Sequence, residues 1–401
     1  MSTTLHTILE PDGRVGVPAP RGTALLRLGF RPFYLGAALA AVALMALWPA
    51  VLMGRVPVAA GLAPTDWHAH EMIFGCVAAV VVGFLFTAGK AWTGLDTPRG
   101  PALAALVALW AAGRVAGLVG GAAVFAAVDA PFLPLVAGVF ARLVVRARSR
   151  RNAGVALVLA LLAAANLAFH AAVLGAWSVE PMRALHAGLA LVVLLESVIG
   201  GRVIPAFTRS AIPGLELRGR PAVDRCAIGA TAAGLALWLG GAPAWGSAPV
   251  LALAAGAHAV RLAGWQPGRT ARRPVLWILH APYAWIPLGL ALLAASAAGM
   301  VARSAGVHAL AVGATGGLVI GMITRTARGH TGRPIVASRA EVAAYALVMA
   351  AAVLRVGAAL VPALWSPLVC AAGSAWIAAF GLYLWRFAPW LAAARVDGRD
   401  G

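Results

Sequence analysis

The chain has 401 residues, 62% of them hydrophobic and only 11% charged, with a mean hydropathy of +0.87. A soluble fold of this length needs a charged surface, and there is too little charge here to make one. The formal net charge of +19 sits on arginines in short loops between apolar runs, and no basic domain stands apart from them, which excludes nucleic acid as a partner.

In chain order, residues 1–26 are polar and contain Pro and Gly. Arg27 and Arg31 then precede a full-length apolar run with no small-residue cleavage site, so the first span is expected to stay in the protein. Twelve spans are predicted: 33–53, 67–89, 100–120, 122–145, 152–175, 183–205, 222–240, 247–265, 274–298, 304–326, 340–361 and 365–387. The fold class is therefore all-α, a polytopic membrane protein. A cytoplasmic tail (1–26) precedes one twelve-helix domain (27–390), and a second cytoplasmic tail (391–401) ends the chain. Asp129, Pro131 and Pro134 interrupt the fourth span, which membrane helices tolerate when neighbours satisfy the freed carbonyls.

The arginines orient the spans. Arg14, Arg21, Arg27 and Arg31 precede the first. Arg146–Arg151, Arg209–Arg220, Arg269–Arg273 and Arg328–Arg339 bound the later loops that fall on the same side if there are twelve spans. The opposite loops carry only Arg55, Arg183 and Arg303, so both termini are expected in the cytoplasm and the chain in a bacterial inner membrane.

On this topology His68 and His70 open the second span at the outer face. His170 closes the fifth there, and His186 and His308 open the sixth and tenth there. Five histidines at one membrane level point to a metal or haem site, since neutral imidazole is a common ligand of copper and haem iron. His68 and His70 point about 200° apart on an ideal helix and cannot chelate one ion from within it. Either they serve different sites or His68 lies in the preceding turn. His280 sits in the ninth span near the cytoplasmic side, His258 lies in the eighth, and His6 and His330 fall outside the spans. The carboxylates Glu71, Asp129 and Glu196 are open to three roles: fixing a ligand imidazole's tautomer, relaying protons, or pairing with Arg114 or Arg202. The three cysteines form no CxxC and read as packing residues, with Cys76, which follows His70 on the same run, also eligible as a metal ligand.

The sixth span ends GGRVIPAFTR (200–209) and the tenth ends GGLVIGMITR (316–325), identical at six of ten positions. The second span ends VVGFLFTAGK (81–90) with a related Phe-Thr pair. Spans two, six and ten are four apart and each bears an outer histidine. This predicts three arcs of four helices in a pseudo-threefold arrangement around a shared interior.

RLGFRPFYLGA (27–37), WHAHEMIFG (67–75), LWAAGRVAG (109–117), Arg151–Asn152, IGGRVIPAFTR (199–209) and GHTGRP (329–334) together resemble the NnrS family. The resemblance implies a haem- and copper-containing inner-membrane protein associated with denitrification and nitric oxide tolerance (nitrosative stress). His68, His70 and His330 stand at its motif positions. A weaker, architectural similarity is to the catalytic subunits of haem–copper oxidases and nitric oxide reductases. Histidines on helices two and ten clamp a haem there, and His70 and His308 fit that pattern. The seventh span has no histidine and the tenth has one where those subunits need two.

The expected cofactor is haem b, with copper as a further metal. His68, His70, His170, His186 and His308 are the expected metal ligands. His280 is a further cofactor contact, and Arg333 of GHTGRP an anion or haem-propionate contact beside His330 and Thr331. Nitric oxide is the expected ligand, a quinol or other redox partner the expected electron source, and the lipid bilayer the surroundings. Two rival classes stay open: an oxidoreductase that turns over nitric oxide, and a cofactor-free proton-coupled transporter using the histidines and Glu196. No Walker-type loop, Ser–His–Asp order or HExxH supports a hydrolase.

Overall fold

The computed structural model describes residues 23–59 and 61–399. The expected tail with His6, Arg14 and Arg21 lies outside the described residues, apart from its last four. Among the described residues every regular element is helical. The long helices are α1 (Phe30–Leu52), α2 (Pro64–Thr93), α3 (Pro101–Val119), α4 (Ala122–Arg146), α5 (Arg150–Val173), α6 (Pro181–Ala211), α7 (Pro221–Leu239), α8 (Ala244–Gly264), α9 (Pro274–Ala297), α10 (Arg303–His330), α11 (Arg339–Leu360) and α12 (Pro362–Ala392). Proline opens α2, α3, α6, α7 and α9, where its missing N–H costs nothing and its fixed φ suits the first turn. Ser338 and Glu341 form a reciprocal cap at the start of α11.

Eleven of these helices are long and apolar enough to cross a membrane, one fewer than the twelve expected. The exception is α8. Its 21 residues span about 31 Å, but His258 and Arg261 dilute its apolar content. Both are buried in a network with neighbouring helices. The His258 ring meets Tyr283 Oη at 2.7 Å and Thr231 Oγ1 at 2.9 Å, and Arg261 Nε donates to Asp224 at 2.6 Å.

The bundle is built around α2 and α10, whose apolar windows are 78% and 72% buried, against 22% for α7. α6 packs against both. The related ends of α6 and α10 share local structure. Thr208 and Thr324 each donate to the carbonyl of the isoleucine four residues earlier, Ile204 and Ile320, at 2.8 Å. Arg325 stacks over the Phe207 ring at 3.9 Å, so the two copies touch. The first glycine of each pair also has a bulky neighbour: a Cβ would come within 3.3 Å of Tyr283 at Gly200 and within 2.6 Å of Trp376 at Gly316.

α2 and α10 share a further feature. Each widens into a π-helical stretch one residue after a histidine: Glu71–Val77 after His70 and Ala309–Gly316 after His308. Such stretches cost helix geometry and concentrate at functional sites.

Candidate metal centre

Residues from four helices meet around Asp129. In α2 the π-helical stretch lowers the rotation per residue below the α-helical value of about 100°, so the adjacent His70 and Glu71 both address α3–α5. α4 breaks after its first segment, Ala122–Asp129, because Pro131 cannot continue the ladder, and this leaves Asp129 at an inward-facing end. Asn166 and His170, four residues apart, share one face of α5. Arg114 comes from α3. His70, Glu71, Arg114, Asp129, Asn166 and His170 are all buried.

Asp129 Oδ2 lies 2.9 Å from His170 Nε2 and 3.3 Å from His70 Nε2, and accepts from the Asn166 amide at 2.9 Å. Its Oδ1 accepts from Arg114. Arg114 also donates to Glu71 Oε1 at 2.9 Å, and that oxygen lies 3.2 Å from His70 Nδ1. Asn166 Oδ1 is 2.9 Å from His70 Nε2. Three glycines of the two sequence motifs leave the space for this. A Cβ at Gly75 would meet Glu71 Oε2 at 3.2 Å, one at Gly113 would meet Asp129 Oδ1 at 2.8 Å, and one at Gly117 would meet Glu71 Oε1 at 3.2 Å.

With both carboxylates ionised, Glu71 and Asp129 face one guanidinium and leave one negative charge inside an apolar bundle, a costly state that a proton or a metal cation relieves. His70 Nδ1–H donates to Glu71, so Nε2 points at Asp129 and Asn166, and either a second proton or a metal ion at Nε2 supplies the missing charge. One ligand atom each from His70, Asp129 and His170 falls within 4.8 Å of the others. A tetrahedral site with bonds of about 2.1 Å has edges of about 3.4 Å, and the two edges at Asp129 Oδ2, 2.9 and 3.3 Å, fall close to that length.

A porphyrin does not fit at His70. Its ring has Phe74, Phe125, Phe169 and His170 at centroid distances of 4.6–5.4 Å, and both nitrogens face polar groups. In this structure His70 and His308, the pair expected to clamp a haem, sit among different side chains.

His308 instead lies within electrostatic range of His68 and His186. These three are half-buried, whereas His70 and His170 are buried. His68 stacks on Trp48 at 4.3 Å, and its buried Nδ1 has no hydrogen-bond partner. His308 Nδ1 donates to Ser304 O at 2.9 Å, leaving Nε2 unengaged, and Ser304 Oγ accepts from Arg355 at 3.1 Å. His186 packs on Trp238. An orphaned imidazole nitrogen occurs in both groups, His68 Nδ1 here and His170 Nδ1 beside Asp129, and the group with His68, His186 and His308 is the less enclosed of the two.

The remaining expected residues lie elsewhere. His280 bonds Leu276 O within its own helix and approaches Thr208 at 3.4 Å. Arg333 stacks on Trp390, and His330 packs against Phe30. The Cys76 thiol donates to Ala37 O and is not among the three grouped ligand atoms. Arg202 binds Arg151 O and not Glu196, whose Oε2 is buried without a hydrogen-bond partner. Asn166 and the place of Asp129 at the centre of the cluster went unread in the sequence. The available signal was one Asp and one Asn in neighbouring apolar spans, where polar groups are expensive and pair with one another.

The family model described as NnrS protein matches residues 24–395, nearly the whole chain, and the chain belongs to that family. No curated protein matches it.

Proposed function

From this family membership and the site geometry, we propose that the chain is a haem- and metal-binding inner-membrane protein of nitric oxide metabolism or nitrosative-stress defence. The convergence of His70, Asp129 and His170 carries the reading, because a buried N,N,O donor set with unbalanced negative charge calls for a cation. We assign this set to a single ion, copper being the family's expectation, and assign haem b to the side lined by His68, His186 and His308. All twelve helices cross the bilayer in this reading, α8 included, with α2, α6 and α10 as the inward members of three arcs and both termini cytoplasmic.

Haem b held by His68, His186 or His308 would supply an iron able to take nitric oxide as a ligand. The chain's own residues prepare the sites. Glu71 fixes the His70 tautomer by accepting from Nδ1, and Arg114 orients Asp129 through its other oxygen. Phe74, Phe125 and Phe169 exclude water, and the Ser304 carbonyl aims His308 Nε2.

Anaerobic nitric oxide titration of the purified protein tests the reading. A Soret band that shifts with nitric oxide is expected, and consumption of nitric oxide only with a quinol donor would identify turnover. A colourless protein that still protects cells overturns it in favour of a transporter acting through Glu196.

A further inference from the structure

Where α10 and α12 end, three guanidinium groups gather on one indole. Arg333, Arg386 and Arg328 lie 4.3, 4.5 and 5.2 Å from the Trp390 ring centroid. The platform is fixed, since Arg31 Nη1 donates to the carbonyls of Trp390, Leu391 and Ala393 at 3.3, 2.8 and 2.7 Å.

The nearby acids are committed. Glu341 takes both bonds of Arg328, at 2.7 and 2.5 Å, and Asp397 takes those of Arg395, at 2.8 and 2.6 Å. Among the described residues, Arg333 has one long bond, to Thr331 O at 3.3 Å, and no carboxylate. Arg386 Nε is buried without a hydrogen-bond partner. Among these residues, then, two of the three cations have no counter-ion, and they repel one another across a ring. Burial and the charges of Arg328 and Arg386 press the Arg333 guanidinium below its ordinary pKa.

We infer that the Trp390 platform, with Arg333 and Arg386, binds the phosphate of an anionic phospholipid headgroup. Planar guanidinium forks match phosphate oxygens. The lipid source is favoured over free phosphate by what adjoins the cations. Ile335 and Val336, directly after Arg333, are 42% and 69% exposed, and Trp385, before Arg386, is 70% exposed. An acyl chain beside the headgroup would cover this apolar surface, and an indole at the membrane edge suits the interface. The site gives GHTGRP a role: Gly332, at φ +75°, turns the chain so that Arg333 returns over Trp390.

The test titrates the full-length protein in neutral detergent with short-chain phosphatidylglycerol, phosphatidylcholine or inorganic phosphate, read by native mass spectrometry. Phosphatidylglycerol is expected to bind and phosphatidylcholine is not. Loss of one surface cation weakens such binding about fivefold, so R333Q/R386Q weakens it roughly 25-fold, while R209Q leaves it unchanged. Unaltered binding by R333Q/R386Q overturns the site, and inorganic phosphate that competes as tightly as the lipid overturns the lipid assignment. If the double variant does not assemble, a photoreactive phosphatidylglycerol on the wild type decides. Labelling of segments 333–336 and 385–390 is expected, and labelling elsewhere alone rejects the proposal.

Discussion

His68 and His70 stand two residues apart on α2 and serve different neighbourhoods. His70 faces Asp129, Asn166 and His170 on α4 and α5, while His68 stacks on Trp48 of α1 and lies near His308 of α10. The separation divides the histidines expected at one membrane level into two groups, one closed around a carboxylate and one half-buried.

The division predicts separable losses. H308A or H68A is expected to remove the Soret band and leave the non-haem metal in place. H170A is expected to remove the non-haem metal and keep the band. Optical spectra and elemental analysis on the same preparations check this. A metal lost together with haem in every variant would merge the two sites into one.

Glu71 acts on the ion only through His70. E71Q keeps the shape but accepts the Nδ1 proton less well, so metal affinity should fall about 10- to 100-fold, with helix content unchanged. Competition with a chelator reads the affinity. Wild-type affinity in E71Q would leave Glu71 a mere ion-pair partner of Arg114.

Gly113 is the tightest of the clearances around Asp129 that involve a carboxylate. G113A puts a methyl 2.8 Å from Asp129 Oδ1 and 3.3 Å from its Cβ, so the carboxylate must shift. Such overpacking costs about 1–3 kcal/mol. The expected result is a lower thermal midpoint together with reduced metal occupancy. Full occupancy at an unchanged midpoint would mean that the pocket is slack.

Much of this was legible in the sequence. Run length and loop arginines gave the helices to within a few residues, because a bilayer dictates both. The roughly 200° between His68 and His70 already forbade a shared ion. The partners were not legible. Asp129 reaches His170 only because α4 breaks at Pro131, and no periodicity links positions 129, 166 and 170. The π-helical stretches in α2 and α10 re-aim the side chains beyond His70 and His308, and no residue pattern announces them. The span count differs by one because His258 and Arg261, bonded to Tyr283, Thr231 and Asp224, dilute the apolar content of α8.

Asp129 bears on the whole cluster, since it faces two imidazoles, an amide and a guanidinium. D129A leaves Arg114 short of a partner in an apolar setting, and breaking a buried pair costs about 3–5 kcal/mol. D129N keeps the volume and removes the charge. Both should lose the ion, and D129A should be the less stable in thermal melts. A D129A protein as stable as wild type would show that Arg114 needs only Glu71.

Non-haem metal per chain in purified wild type and D129N, measured by elemental mass spectrometry after chelator washing, tests the central claim most directly. The account predicts one ion per wild-type chain and none in D129N, with haem equal in the two. Equal non-haem metal in both proteins, or none in either, would contradict it.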